Sequence, residues 1–179
     1  MFIKGTFEDA KYFDAIKSHL FDEFEPKYPI LEQNVDLYEL ISSSNSVCVS
    51  VRSFKEIQGD QNTASLYNVC TPKYFDDAIK LICKKIEKPV FFIFSDDIEW
   101  TKSKLSLRDC TVYYETTDNP VWEKLRLMYT CKHFILSNST FSWWTQYLSR
   151  NENKIVISPS RWFNDDYKSP LIDESWIKI

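Results

Sequence analysis

Apolar positions recur along the chain with two periods, and the periods assign the elements. Phe7, Ala10, Phe13, Ile16, Leu20 and Phe24 make a helical stripe that stops at Pro26. Tyr28 to Asn34 reads as a loop confined by Pro29, and Val35 to Ser42 as a short helix. A polar turn, Ser42 to Ser46, leads into Val47-Cys48-Val49-Ser50-Val51, the first β-type run. Thr71-Pro72 is a cap followed by a first-turn proline, and Phe75, Ala78, Ile79, Ile82 and Ile86 continue it with helical spacing. Val90 to Phe94 is continuously apolar, as strands inside parallel sheets are. A short helix is predicted from Ile98 to Lys104 and a strand from Cys110 to Tyr114. Asn119-Pro120 opens a helix through Cys131, with Val121, Leu125 and Met128 on one face. His133 to Leu136 is a buried strand, Phe141, Trp144, Tyr147 and Leu148 mark a helix, and Ile155 to Ser158 is a last strand. The tail, with Pro159 and Pro170, reads as irregular or frayed.

Strands alternating with helices predict an α/β fold, a parallel Rossmann-like sheet with helices on both faces. The expected organisation is a helical lead-in over 1–45, an α/β domain over 46–160 and a tail over 161–179. Ligands of such sheets sit at the carboxyl ends of the strands. Three polar clusters fall there: Ser50 to Ser53, Ser95 to Asp97 and Ser137 to Thr140. Together they predict a single site.

Composition narrows the chemistry. The chain has 179 residues, enough for one domain or a large piece of a two-domain protein, and is 44% hydrophobic and 16% aromatic. A net charge of −4 gives no electrostatic case for nucleic acid or an anionic membrane, so an anionic ligand must be held by a few placed groups. Gly5 and Gly59 are the only glycines, which excludes a glycine-rich phosphate loop. Cys48, Cys70, Cys83, Cys110 and Cys131 form no C-x-x-C pair and read as reduced, buried thiols. His19 and His133 lack partners at ligand spacing, so no metal site is predicted. No run approaches the ~20 apolar residues of a membrane span and no signal segment opens the chain; the expectation is a cytoplasmic protein, with contact to a membrane surface left open.

At each strand end two readings stand. Ser137-Asn138-Ser139-Thr140 is either an ordinary helix cap or a phosphate cradle, because the first amides of a helix lack internal partners and carry partial positive charge. Arg52 is either a surface arginine or a bidentate grip on a diphosphate. Asp96 and Asp97 suit the paired donors of a guanine edge or a ribose hydroxyl, and either could equally cap the helix from Ile98. Trp143 and Trp144 are adjacent on a helix, cannot both face one ligand, and read as core.

Ser137 to Trp144, followed by Lys154 to Phe163, resembles the C-terminal signature of the α-1,2-fucosyltransferases, glycosyltransferase family 11. Tyr74 to Ile79 and Phe92 to Trp100 resemble the same family in the same order. The resemblance implies the C-terminal, donor-binding half of a two-domain GT-B-type enzyme. Such an enzyme transfers fucose from GDP-fucose to a galactose hydroxyl, with inversion and without a metal or other cofactor. The implied donor-binding set is Arg52, Ser95, Asp96, Asp97, Ser137, Asn138, Ser139, Thr140 and Phe141; no catalytic base is implied. An acceptor domain would be supplied elsewhere.

One segment departs. The family's His-x-Arg-Arg-Gly-Asp motif is here Ser50-Val51-Arg52-Ser53-Phe54-Lys55, which keeps the first arginine alone. Lys55 is a candidate replacement charge and Asp60 a candidate replacement carboxylate. A missing cation removes roughly 1.5–3 kcal/mol per charge-assisted hydrogen bond to a diphosphate. The alternative expectation is therefore an inactive truncated relic or binding module that keeps the fold. A receiver-like signalling domain, suggested by Asp96-Asp97 at a strand end, lacks the accompanying acidic pair and lysine.

Overall fold

Unbroken runs of β-branched and aromatic residues set the centre of the molecule. The computed structural model describes residues 4–5, 7–54, 57, 59–107, 109–116 and 118–179. In it, β1 (Asn45–Val51) and β2 (Pro89–Ser95) are the long strands, paired in parallel from Asn45↔Pro89 to Val51↔Ser95. With β3 (Thr111–Tyr114), β4 (His133–Ile135), β5 (Val156–Ser158) and β6 (Ile177–Lys178) they form a parallel sheet of order β3-β2-β1-β4-β5-β6. The fold is α/β and Rossmann-like, as the sequence predicts. The strand order reverses between β1 and β4, which is where open α/β sheets hold their ligands.

Alternate residues of each strand face opposite sides. Val47, Val49, Val51, Phe91 and Ile93 pack with Phe75, Ala78, Ile79 and Ile82 of α4 (Pro72–Lys85). Cys48, Phe92, Phe94 and Phe134 pack with Tyr38 and Ile41 of α2 (Val35–Ser43) and with Leu127 and Met128 of α6 (Val121–Thr130). The α4 helix starts as its sequence dictates: Thr71 accepts from the Tyr74 amide at 3.4 Å and Pro72 holds the first position. Also present are α1 (Lys17–Glu23), α3 (Gln61–Tyr67), α5 (Ile98–Lys104) and α7 (Thr140–Leu148).

A polar knot ties the lead-in to α6. The guanidinium of Arg126, 8% exposed, pairs with Glu123, which is fully buried. It also donates to the Tyr38 hydroxyl at 3.0 Å and to the carbonyls of Tyr28 at 2.8 Å and Pro29 at 3.0 Å. Glu123 Oε1 accepts from Asn34 Nδ2 at 2.9 Å and from the Leu31 amide at 3.2 Å. Each buried charge is thus saturated with partners, the condition under which burial is tolerated.

The structure departs from the sequence pattern in four places. The stripe from Phe7 to Phe24 is no single helix: two 3-10 turns, Ala10–Tyr12 and Asp14–Ile16, precede α1. Breaking the helix lets Phe13 and Phe24 reach Trp144, with ring centroids at 5.4 and 5.0 Å, while Phe7 and Ile16 remain exposed. Val121 is 70% exposed, because the inner face of α6 carries Glu123 and Arg126 in place of a purely apolar stripe. The α3 helix comes from a polar run without apolar period; Asp60 starts it by accepting from the Asn62 and Thr63 amides. The tail is irregular over 159–176, as expected, but it is packed rather than frayed. Trp162 and Leu171 are buried against Trp143 and Tyr147, and β6 adds the last strand.

Candidate functional site

The register of β1 and β2 puts the residues that follow Val51 and Ser95 side by side. Arg52 Nη1 lies 2.8 Å from Asp96 Oδ2, and the Ser53 amide donates to Asp96 Oδ1 at 2.8 Å. The side chains are 35% and 20% exposed, so this pair stands at a rim. The guanidinium carbon sits 5.4 Å from the Phe54 ring centroid. Phe54 occupies the glycine position of the motif described above, and its φ of 53° lies in the left-handed region that glycine enters freely. The turn therefore keeps a glycine-type backbone without a glycine.

The two aspartates have different partners. Asp97 caps α5, accepting from the Trp100 amide at 3.1 Å, whereas Asp96 holds Arg52. Ser95 Oγ accepts from the Asp97 amide at 3.0 Å and bonds to the Thr101 hydroxyl at 2.9 Å, fixing the turn between them.

At the end of β4 the chain turns into α7. Ser137 Oγ bonds to Ser142 Oγ at 3.0 Å, and Ser142 Oγ lies 2.5 Å from Ser50 Oγ. This hydroxyl chain stitches the first turn of α7 to the end of β1. Asn138, 1% exposed, donates to the carbonyls of Tyr67 and Trp162, both at 2.9 Å. Ser139 holds the cap position but its side chain makes no capping bond. The Trp143 amide reaches back to the Ser139 carbonyl at 2.9 Å. Among the described residues nothing accepts from the amides of Thr140, Phe141 or Ser142. The positive end of the α7 dipole is therefore open.

That end faces a cleft of ≈ 340 Å³ whose lining includes Arg52, Asp96, Lys124, Ser139, Phe141 and Ser142. Of the residues the sequence predicts for the site, Arg52, Ser95, Asp96, Ser139 and Phe141 line this cleft. Asp97 lines a neighbouring cavity, and Ser137 and Asn138 lie behind the surface as supports of the turn. Thr140 contributes the first residue of α7. Lys55 falls outside the described residues, and Asp60 is occupied as the α3 cap.

Two residues of this end escaped sequence reasoning. Glu115 follows β3 just as Arg52 follows β1, so the strand-end rule that found the others applies to it equally. Its side chain is 1% exposed; it accepts from Asn119 Nδ2 at 3.1 Å, and its Oε2 lies 3.2 Å from Lys124 Nζ. Burial raises the Glu115 carboxyl above its ordinary range, opposed by Lys124 and Asn119. Lys124, 22% exposed, thereby brings a second cation to the cleft. No sequence period singles it out.

Trp143 is core, as expected: it is 4% exposed and its indole donates to the Leu171 carbonyl at 3.0 Å. Among the described residues no three His, Cys, Asp or Glu side chains converge as metal ligands, and no helix is long and apolar enough to cross a membrane.

Comparison with known proteins gives this arrangement a lineage. The family model "Glycosyl transferase family 11" matches residues 1–179. An alpha-1,2-colitosyltransferase of Escherichia coli is 31% identical over 98% of the chain and 61% of its own length. The O-antigen biosynthesis glycosyltransferase WbnK, also from Escherichia coli, is 28% identical over 97% of the chain and 59% of its own length. The human galactoside alpha-(1,2)-fucosyltransferase 1 is 30% identical over 42% of the chain. The chain thus spans about three-fifths of the length of the two bacterial relatives.

Proposed function

We propose, for a chain that belongs to glycosyl transferase family 11, that the cleft at the head of α7 binds GDP-fucose and that the fucosyl group passes from it to a galactoside hydroxyl, forming an α-1,2 linkage with inversion. One observation carries this reading: the uncapped amides of α7 open into the same cleft as Arg52 and Lys124, at the point where the strand order reverses. Open amides, a helix dipole and two cations are what a diphosphate requires. In the transfer step the acceptor oxygen bonds to C1 of the sugar as the bond from C1 to the β-phosphate oxygen breaks. The electron pair stays on the departing diphosphate, and the hydroxyl proton passes to a base. Arg52, Lys124 and the α7 amides stabilise the charge that develops on the leaving group. The reading gives this task to protein groups rather than to a metal ion.

Calorimetric titration with GDP and GDP-fucose tests it. Saturable binding that weakens in Arg52→Ala is the expected result; absence of heat at millimolar nucleotide removes the donor site. A second reading rests on Ser50, Ser53 and Phe54, which replace the motif's His, second Arg and Gly. The chain would then bind nucleotide without transferring sugar. Binding without radiolabelled fucose appearing on a galactoside would select it.

A further inference from the structure

Arg52 is a wall shared by two clefts. On its other side lies a second cavity of ≈ 380 Å³, lined among others by Phe54, Gln61, Ala64, Tyr67, Asn68 and Trp100. This places it near the lower end of ligand-pocket sizes, which run roughly 300–1,000 Å³. Its chemistry differs from that of the first cleft. Three half-buried aromatic rings form the walls, with Phe54 and Tyr67 at 5.4 Å between centroids. Neutral amides and hydroxyls of Gln61, Ser65 and Asn68 stand at the rim, and among the described residues the Tyr67 hydroxyl has no hydrogen-bond partner. Among the described residues the one charged group in the lining is Arg52, already paired with Asp96.

The cavity is also built rather than incidental. Asn164 pins the end of α3 through its amide to the Leu66 carbonyl at 2.8 Å, and through Nδ2 to the carbonyls of Ser65 at 2.8 Å and Asn68 at 3.1 Å. Asn138 holds the Tyr67 carbonyl from beneath. Phe54 reaches its place on the wall in a backbone conformation that disfavours a bulky side chain, as strained residues at functional sites do.

We propose that this second cleft binds a neutral hexopyranose ring, its C–H face against the aromatic walls and its hydroxyls bonded to Gln61, Ser65, Asn68 and the Tyr67 hydroxyl. Aromatic rings edged with uncharged hydrogen-bonding groups suit a sugar. The sugar's place beside Arg52 rests on reading the first cleft as the diphosphate site. Two sources share the chemistry: the acceptor galactoside and the fucosyl group of the donor.

Saturation-transfer NMR on the full chain separates them, using methyl β-galactoside, methyl α-fucoside and GDP as probes. Ala64→Phe fills the cavity, and Ser65→Trp at an exposed position does so if the first variant does not fold. Saturation of galactoside protons that the filled variant weakens at least tenfold, with GDP binding unchanged, identifies an acceptor subsite. The same loss for the fucoside, together with an affinity of GDP-fucose over GDP that the filled variant erases, identifies a donor-sugar subsite. Tyr67→Phe then weakens whichever sugar binds by about three- to tenfold, one hydrogen bond's worth. Absence of binding by either sugar, or binding indifferent to the filled variant, overturns the inference while GDP binding still upholds the first cleft. Sugar binding without GDP binding does the reverse.

Discussion

Two arginine–carboxylate pairs in this molecule have opposite surroundings. Arg126 and Glu123 are sealed between α6 and the lead-in, and beyond each other they are held by backbone, asparagine and tyrosine partners. Arg52 and Asp96 stand at the rim of the sheet, partly exposed, each beside a cleft. A saturated pair has nothing to offer a ligand and serves to fix the chain. A rim pair, partly exposed, borders the clefts on either side of it. Sequence type does not separate the two; position at a strand end does.

The largest expected effect breaks the sealed pair. Glu123→Ala leaves Arg126 buried without its counter-ion and should destabilise by about 3–5 kcal/mol in urea denaturation. Arg52→Ala should act on the other axis, reducing GDP affinity by roughly 1.5–3 kcal/mol, or about 10–150-fold in calorimetry. Its stability should shift by no more than about 1 kcal/mol, as for other exposed pairs. Comparable stability losses in the two variants would collapse the distinction. A finer probe lies at the turn after Arg52. Phe54→Gly and Phe54→Ala both remove the ring, but only glycine relieves the left-handed backbone, so the glycine variant should be the more stable by about 1–2 kcal/mol.

The smallest effect concerns Glu115, buried like Glu123 but with its Oε2 facing Lys124 without a hydrogen-bond partner. Its folded carboxyl is raised above the unfolded value, so between those two values the folded state binds more protons. Its contribution is then fully present below the unfolded value and is lost as pH rises through the folded one. Glu115→Gln should flatten that fall in a pH series of urea midpoints, and an unchanged slope would refute the assignment.

The fold was legible where apolar period was strong. Val47 to Val51, Val90 to Phe94 and the Thr71-Pro72 start announce themselves locally, and the strand-end rule led directly to Arg52, Asp96 and Ser139. What stayed hidden depends on partners distant in sequence. The inner face of α6 is charged only because Tyr28, Pro29 and Asn34 come back to meet it. The α3 helix rests on one cap and on Asn164, about a hundred residues away, so no local period marks it. Adjacent aspartates with the same side chain took different tasks because Val51↔Ser95 pairing aims one at Arg52 and the helix start claims the other.

Asn138 acts as a mechanical joint. A single amide group grips the last residue of α3 on one side and the buried tryptophan of the C-terminal segment on the other, while its own backbone begins the approach to α7. The three pieces are thereby tied at one point. The C-terminal segment, the end of α3 beside one hollow and the approach to the helix beside the other share a single anchoring side chain.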